Sequence, residues 1–156
     1  MSTTSPDVRL CTDEDLPLLQ RRAVRPGSGF AQRNLELAAA GDYFFVGAFG
    51  DDDVWGYVVL DCRPDTELRP EMTGLWVYPA HRRHGLGVRL TRFIEDIAAQ
   101  HGFDSVQLGV DPENPAAIPM YIGLDYTPTG DHRLVLDEDD NEQHEAIYRK
   151  SLTITR

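Results

Sequence analysis

Residues 82–88 read Arg-Arg-His-Gly-Leu-Gly-Val, which concentrates positive charge and flexible backbone at one place. Arg82, Arg83 and His84 stand before Gly85 and Gly87. An apolar stripe of Leu86, Leu90, Phe93, Ile94 and Ile97 then runs at helical spacing towards Gly102. The glycines therefore lie where a helix begins. The first turn of a helix leaves N–H groups without intrahelical acceptors and carries about half a unit of positive charge, so Arg82 to Val88 is suited to holding an anion. The chemistry indicated is capture of a phosphate group, most naturally a diphosphate, on backbone amides and flanking cations.

The elements that must position this turn can be read on both sides of it. Glu71 to Val77 (Glu-Met-Thr-Gly-Leu-Trp-Val) is rich in large and β-branched types, and Tyr78-Pro79 ends it, predicting a strand that feeds the turn. Asp104 to Val110 returns as a strand, and a strand-helix-strand unit of this length favours a right-handed parallel crossover. Upstream, Asp7 to Cys11 reads as a strand. Thr12-Asp-Glu-Asp15 is a capping pattern that opens a helix with Pro17 in its first turn, and Phe30 to Ala40 reads as a second helix stopped by Gly41. Tyr43 to Phe49 and Val54 to Cys62 flank Gly50-Asp-Asp-Asp53 as a hairpin, which makes an antiparallel meander with the Glu71 strand. Asn114 and Pro115 read as the N-cap and first position of a further helix, and Tyr126 to Leu136 and Gln143 to Leu152 as two closing strands.

The pattern Arg82-x-x-Gly85-x-Gly87 after a strand resembles the acyl-CoA signature of the GNAT superfamily of N-acetyltransferases. The resemblance continues in order: a strand to Val110, then Asn114-x-x-Ala117-x-x-x-Tyr121, then an aromatic at Tyr126. It implies one mixed α/β (α+β) domain over residues 1–156, with a GNAT-like acyl-CoA N-acyltransferase fold. That fold has a central mixed sheet of six to seven strands flanked by about four helices. It implies acetyl-CoA or coenzyme A as cofactor. The diphosphate would lie on Arg82, Arg83, His84, Gly85, Leu86, Gly87 and Val88, with Trp76 and Val77 beside the cofactor on the strand and Asn114, Ala117 and Tyr121 facing it.

The activity implied is transfer of the acetyl group to a primary amine of a small molecule or peptide, by direct attack on the thioester. Three catalytic positions come with the resemblance: Glu71 as base, the Val77 N–H at the thioester oxygen, and Tyr121 near the leaving sulfur. A lysine-like amine with pKa about 10.4 costs roughly 4.6 kcal/mol to deprotonate at pH 7, which is the task a base would serve. The alternative is a non-catalytic acyl-CoA sensor or assembly module of the same fold. Two departures from the family pattern bear on Tyr121. Pro119 is expected to kink the helix that carries it, and Asp125 replaces the usual glycine before the final aromatic.

Composition narrows the rest. A formal charge of −11 and a pI near 4.7 argue against nucleic acid or an anionic membrane as partner, and are compatible with a cationic amine substrate. No apolar run approaches the roughly 18 residues of a membrane span and no leader pattern is present, so a cytoplasmic protein is expected. Cys11 and Cys62 lack metal or disulfide spacing and read as small buried hydrophobes, and the acidic stretches Asp51 to Asp53 and Asp137 to Glu142 as solvated turns, so no metal is expected. His81 and His84 flank the arginines and could touch phosphate. A dinucleotide fold competes through Gly85-Leu-Gly87 and Asp111, but the third glycine position is Leu90 and a long gap separates Val77 from Gly85. A homodimer is compatible with the sequence, which leaves the acceptor amine unnamed.

Overall fold

The computed structural model describes residues 5–113, 117–137 and 139–152. Its strands are β1 (Asp7–Leu10), β2 (Tyr43–Gly50), β3 (Asp53–Asp61), β4 (Glu71–Val77), β5 (Ser105–Val110), β6 (Thr127–Leu136) and β7 (Glu142–Ser151). The helices are α1 (Leu16–Arg21), α2 (Phe30–Ala40), α3 (Leu86–Gln100) and α4 (Ala117–Gly123). The strands form one sheet in the order β1-β2-β3-β4-β5-β7-β6. Neighbours are antiparallel except β4 and β5, the parallel pair predicted on either side of the α3 crossover. This is the mixed α+β architecture with a seven-stranded sheet expected from the sequence.

The sheet is buried on both faces at its centre because β3 alternates between two cores. Val58 and Leu60 point towards α3, joining Leu90, Ile94 and Ala98 with Val106, Leu108 and Val110 of β5. Tyr57 and Val59 point the other way, towards Leu19 of α1 and Ala31 and Leu35 of α2. The helical stripe read from Leu86 onward is thus the face α3 buries, with Leu90 and Ile94 fully enclosed.

Three local outcomes refine the expectations. The capping stretch forms a single 3-10 turn, Asp13–Asp15, before α1 begins at Leu16. Asp15 anchors it by accepting from the Thr12 N–H at 2.7 Å and from both terminal nitrogens of Arg9 at 2.8 and 2.9 Å. Pro119 lies within α4, and the helix continues past it through Tyr121 and Ile122. Asp125 takes the left-handed conformation (φ 74°) that the missing glycine would supply. It closes α4 as a Schellman motif, with Tyr126 N–H on Tyr121 O at 2.9 Å and Asp125 N–H on Ile122 O at 3.0 Å. Cys11 and Cys62 are free thiols, pushed up to about 12 and about 11 by burial.

Behind this motif lies a buried polar link. The fully enclosed Tyr126 donates its hydroxyl to Glu95 of α3 at 2.8 Å, and Lys150 of β7 reaches the other Glu95 oxygen at 3.0 Å. The end of α4, the middle of α3 and β7 therefore share one anchor.

Candidate active site

The site begins with an irregularity in β4. Thr73 pairs with Val59 and Trp76 with Tyr57, so Gly74 and Leu75 together oppose Val58. This β-bulge needs a left-handed residue, and Gly74 supplies it at φ 66°. The bulge bends β4 away from β5. The two strands meet in register at one pair, Glu71 with Gln107, supported by the Gln107 N–H on Pro70 O at 3.2 Å. Beyond that pair they diverge, and β5 continues against β7.

Strand alternation determines what faces the gap. The Tyr78 N–H donates to Trp55 O at 2.9 Å, on the β3 side. The N–H and C=O of the preceding residue, Val77, therefore point to the opposite edge, into the space between β4 and β5. Leu75 lies on the same edge by the same alternation. The gap opens onto the glycine turn, where Arg83 and Gly85 are both left-handed (φ 69° and 77°) and Gly85 precedes the first residue of α3. Arg82, Arg83, His84 and Gly85 are exposed, whereas Leu86 is buried and ties the turn to the core. The sequence-predicted anion residues are thus brought together at one helix end that faces one gap.

The exposed Arg82 side chain folds back onto the end of β4. Its Nε donates to Val77 O at 2.7 Å and its guanidinium lies 4.7 Å from the centre of the Trp76 ring. His81 stacks on Trp55, with ring centres 4.1 Å apart. Opposite, Met120 of α4 approaches the first turn of α3 near Gly87, and Ala117 and Tyr121 pack against the α3-side core. The Tyr121 ring meets Tyr126 edge-on at 6.1 Å, and burial pushes its hydroxyl up to about 12. That hydroxyl makes no hydrogen bond among the described residues, and it stays a neutral donor throughout the physiological range. Asn114 lies outside the described residues.

Glu71 sits at the paired end of β4, on the α1/α2 face, and is engaged. Arg133 of β6 donates to it at 2.6 Å, to Glu145 of β7 at 2.9 Å and to Glu67 at 3.1 Å. Sequence reasoning missed Arg133, which is 62 positions from its partner and carries no local signal. Glu71 and Val77 pair with Asp61 and Gly56, five ladder steps apart, about 16–17 Å at strand rise and well beyond the reach of a glutamate side chain. The two do not address the same atoms directly.

On the face opposite α3, the bulge also forms one wall of a cavity of about 570 Å³. Leu19, Phe30, Tyr57, Leu75, Trp76 and Tyr78 line it, together with the α1–α2 connection. Sequence reasoning assigned this helix pair no diagnostic chemistry. The signal was present in the aromatic residues Tyr57, Trp76 and Tyr78, which gain meaning only once β3 and β4 are placed side by side.

A gap lined by strand amides, leading to a glycine turn at a helix N-terminus, fits an extended ligand that ends in a diphosphate. The profile of the Acetyltransferase (GNAT) family matches residues 12–126. The Xenopus tropicalis protein named Probable N-acetyltransferase 14 is 32% identical over 89 residues, and L-2,4-diaminobutyric acid acetyltransferase of Nocardia farcinica is 31% identical over 72. These stretches cover 55% and 44% of this chain but only 41% and 36% of the relatives' own lengths. Among solved structures, a Salmonella typhimurium protein described as an acetyltransferase, determined with its cofactor acetyl-CoA, superimposes with a TM-score of 0.73 at 16% identity. The alignment covers 98% of this chain and 97% of that one. The Escherichia coli ribosomal-protein-S18-alanine N-acetyltransferase gives 0.70 at 18% identity, covering 97% and 96%. No helix among the described residues is long and apolar enough to cross a membrane. With the family profile spanning most of the chain and the whole fold shared, this protein belongs to the GNAT acetyltransferase family.

Proposed function

We propose that this chain is an N-acetyltransferase that binds acetyl-CoA between β4 and β5 and passes the acetyl group to a primary amine held in the cavity beside the β4 bulge. The observation that carries the reading is the divergence of β4 from β5 after the single Glu71–Gln107 pair, directed onto the glycine turn. Bound acetyl-CoA would supply a thioester carbonyl open to attack by the amine. The chain's residues supply the surroundings. Arg82, Arg83 and His84, with the N–H groups of Gly85 to Val88, hold the diphosphate by charge and by amides that the helix leaves unpaired. The Val77 N–H, on the edge facing the gap, is a fixed donor for the thioester oxygen, a contribution of about 2.7–4 kcal/mol in other acyl transfers. The neutral Tyr121 hydroxyl donates a hydrogen bond to the departing sulfur. With its pKa near 12 it stabilises the thiolate more readily than it gives up a proton outright.

Proton removal from the amine falls to Glu71, acting through water. Its distance from Val77 requires a relay, and the Arg133 pairing holds its carboxylate in one orientation. The same pairing is the one observation that favours the sensor alternative, because an engaged carboxylate has fewer lone pairs to offer a proton. Calorimetric titration with acetyl-CoA, with NAD alongside, tests the binding reading. Release of free thiol on addition of amines then separates enzyme from sensor. Absence of acetyl-CoA binding would overturn both.

A further inference from the structure

Resting on the reading that the cavity beside the bulge receives the acceptor, the geometry points to an acceptor amine of one chemical class: a primary amine carried on an aromatic body by a short linker, rather than a polyamine. Four aromatic side chains shape the cavity wall and are fixed against one another. Phe30 meets Tyr57 with ring centres 5.1 Å apart, Tyr57 meets Tyr78 edge-on at 6.1 Å, and Tyr78 meets Trp76 edge-on at 6.2 Å. Tyr78 is held further by its hydroxyl, which donates to Arg22 O at 2.6 Å. Such a wall offers faces and edges at fixed angles, which suits another aromatic ring.

Charge points the same way. Among the described lining residues none is a carboxylate, and the charged one, Arg25, is a cation. A second ammonium group would meet no carboxylate among these described lining residues. The carboxylates Glu67, Glu71 and Glu145 are gathered around Arg133 instead. The acidic surface of the whole protein still draws a monocation inward by long-range attraction.

The test is equilibrium binding of 2-phenylethylamine and of spermidine to the whole protein, followed by tryptophan fluorescence and calorimetry, with and without saturating coenzyme A. Binding of 2-phenylethylamine at least tenfold tighter than spermidine is expected. Val24→Glu adds a carboxylate at an exposed position on the cavity rim and should narrow or reverse that ratio by at least tenfold, with thermal stability unchanged. Equal or tighter binding of spermidine to the unaltered protein, or no binding of 2-phenylethylamine, overturns the inference. Because binding is read without turnover, the two claims separate. An aromatic amine that binds but never becomes acetylated upholds the class of ligand the cavity takes and removes the transferase reading. Turnover of spermidine in preference does the reverse.

Discussion

Replacing Gly74 tests the origin of the gap between β4 and β5. A Cβ added at this glycine would meet nothing within 4 Å, so substitution creates no clash and any cost comes from the backbone alone. Holding an ordinary L-residue at φ 66° costs about 1–2 kcal/mol, and Asn or Asp less, because their side chains tolerate the left-handed region. Gly74→Ala also removes some freedom from the unfolded chain, about 0.4–1 kcal/mol in its favour, which leaves a net loss near 1 kcal/mol. In a domain of this size that lowers the melting temperature by about 2–4 °C. Gly74→Asn should lose roughly half as much, and Gly74→Val more than alanine. Urea denaturation of the three variants, read beside acetyl-CoA titration, gives both quantities. If the bulge persists under strain, stability falls in that order and affinity stays within about threefold. If valine shifts the register instead, the parity of every later β4 residue inverts, the Val77 amide turns towards β3, and affinity collapses. Alanine and valine variants as stable as the unaltered protein, with unchanged affinity, would refute the claim that a left-handed glycine sets the gap.

Further predictions concern the ligand sites and acid stability. Arg82→Glu combined with Arg83→Glu should weaken acetyl-CoA binding at least a hundredfold by calorimetry, since each lost charge-assisted hydrogen bond is worth about 1.5–3 kcal/mol; unchanged affinity would remove the diphosphate assignment. Tyr121→Phe should slow thiol release by about tenfold or more while acetyl-CoA affinity stays within about twofold, and full turnover would dismiss the leaving-group role. Asp15 is held below the ordinary carboxylate range chiefly by its hydrogen bonds to the Arg9 guanidinium. A lowered folded pKa contributes stability above the unfolded value of about 3.9, and that stability is lost as pH falls through the folded value. Asp15→Asn should therefore cost about 1–2 kcal/mol at pH 7, Arg9 being partly exposed, with the difference from the unaltered protein shrinking below about pH 4 in pH-dependent denaturation.

The parts of this protein legible in the sequence are those whose physics is local. The α3 stripe, the glycines at its start, the Gly50–Asp53 hairpin and the Phe30 to Ala40 helix each declare themselves within a dozen residues, and α2 occupies the predicted span. The strand-turn-helix unit was legible as a site because its chemistry comes from backbone amides, whose placement follows from secondary structure. What was not legible depends on contacts across the sheet. Arg133 reaches Glu71 only because β6 and β7 fold back beside β5, and Tyr57, Trp76 and Tyr78 form a wall only because the β3–β4 register brings them together. Pro119 and Asp125 illustrate the opposite case. Read alone they suggested a disturbed helix, yet α4 continues past Pro119 and Asp125 closes it in a tolerated left-handed φ.

The single bridge between β4 and β5 has a mechanical consequence. A seven-stranded sheet joined at one residue pair behaves as a four-stranded and a three-stranded plate sharing a hinge, with α3 as the strap across it. An extended guest that bonds to the free β4 edge acts as a missing rung and couples the plates, so occupancy is felt as stiffness far from the chemistry. Slowed amide exchange along the facing edges of β4 and β5 would record that stiffening directly. The seam with the fewest ladder pairs is thus also the line along which its ligand makes the sheet whole.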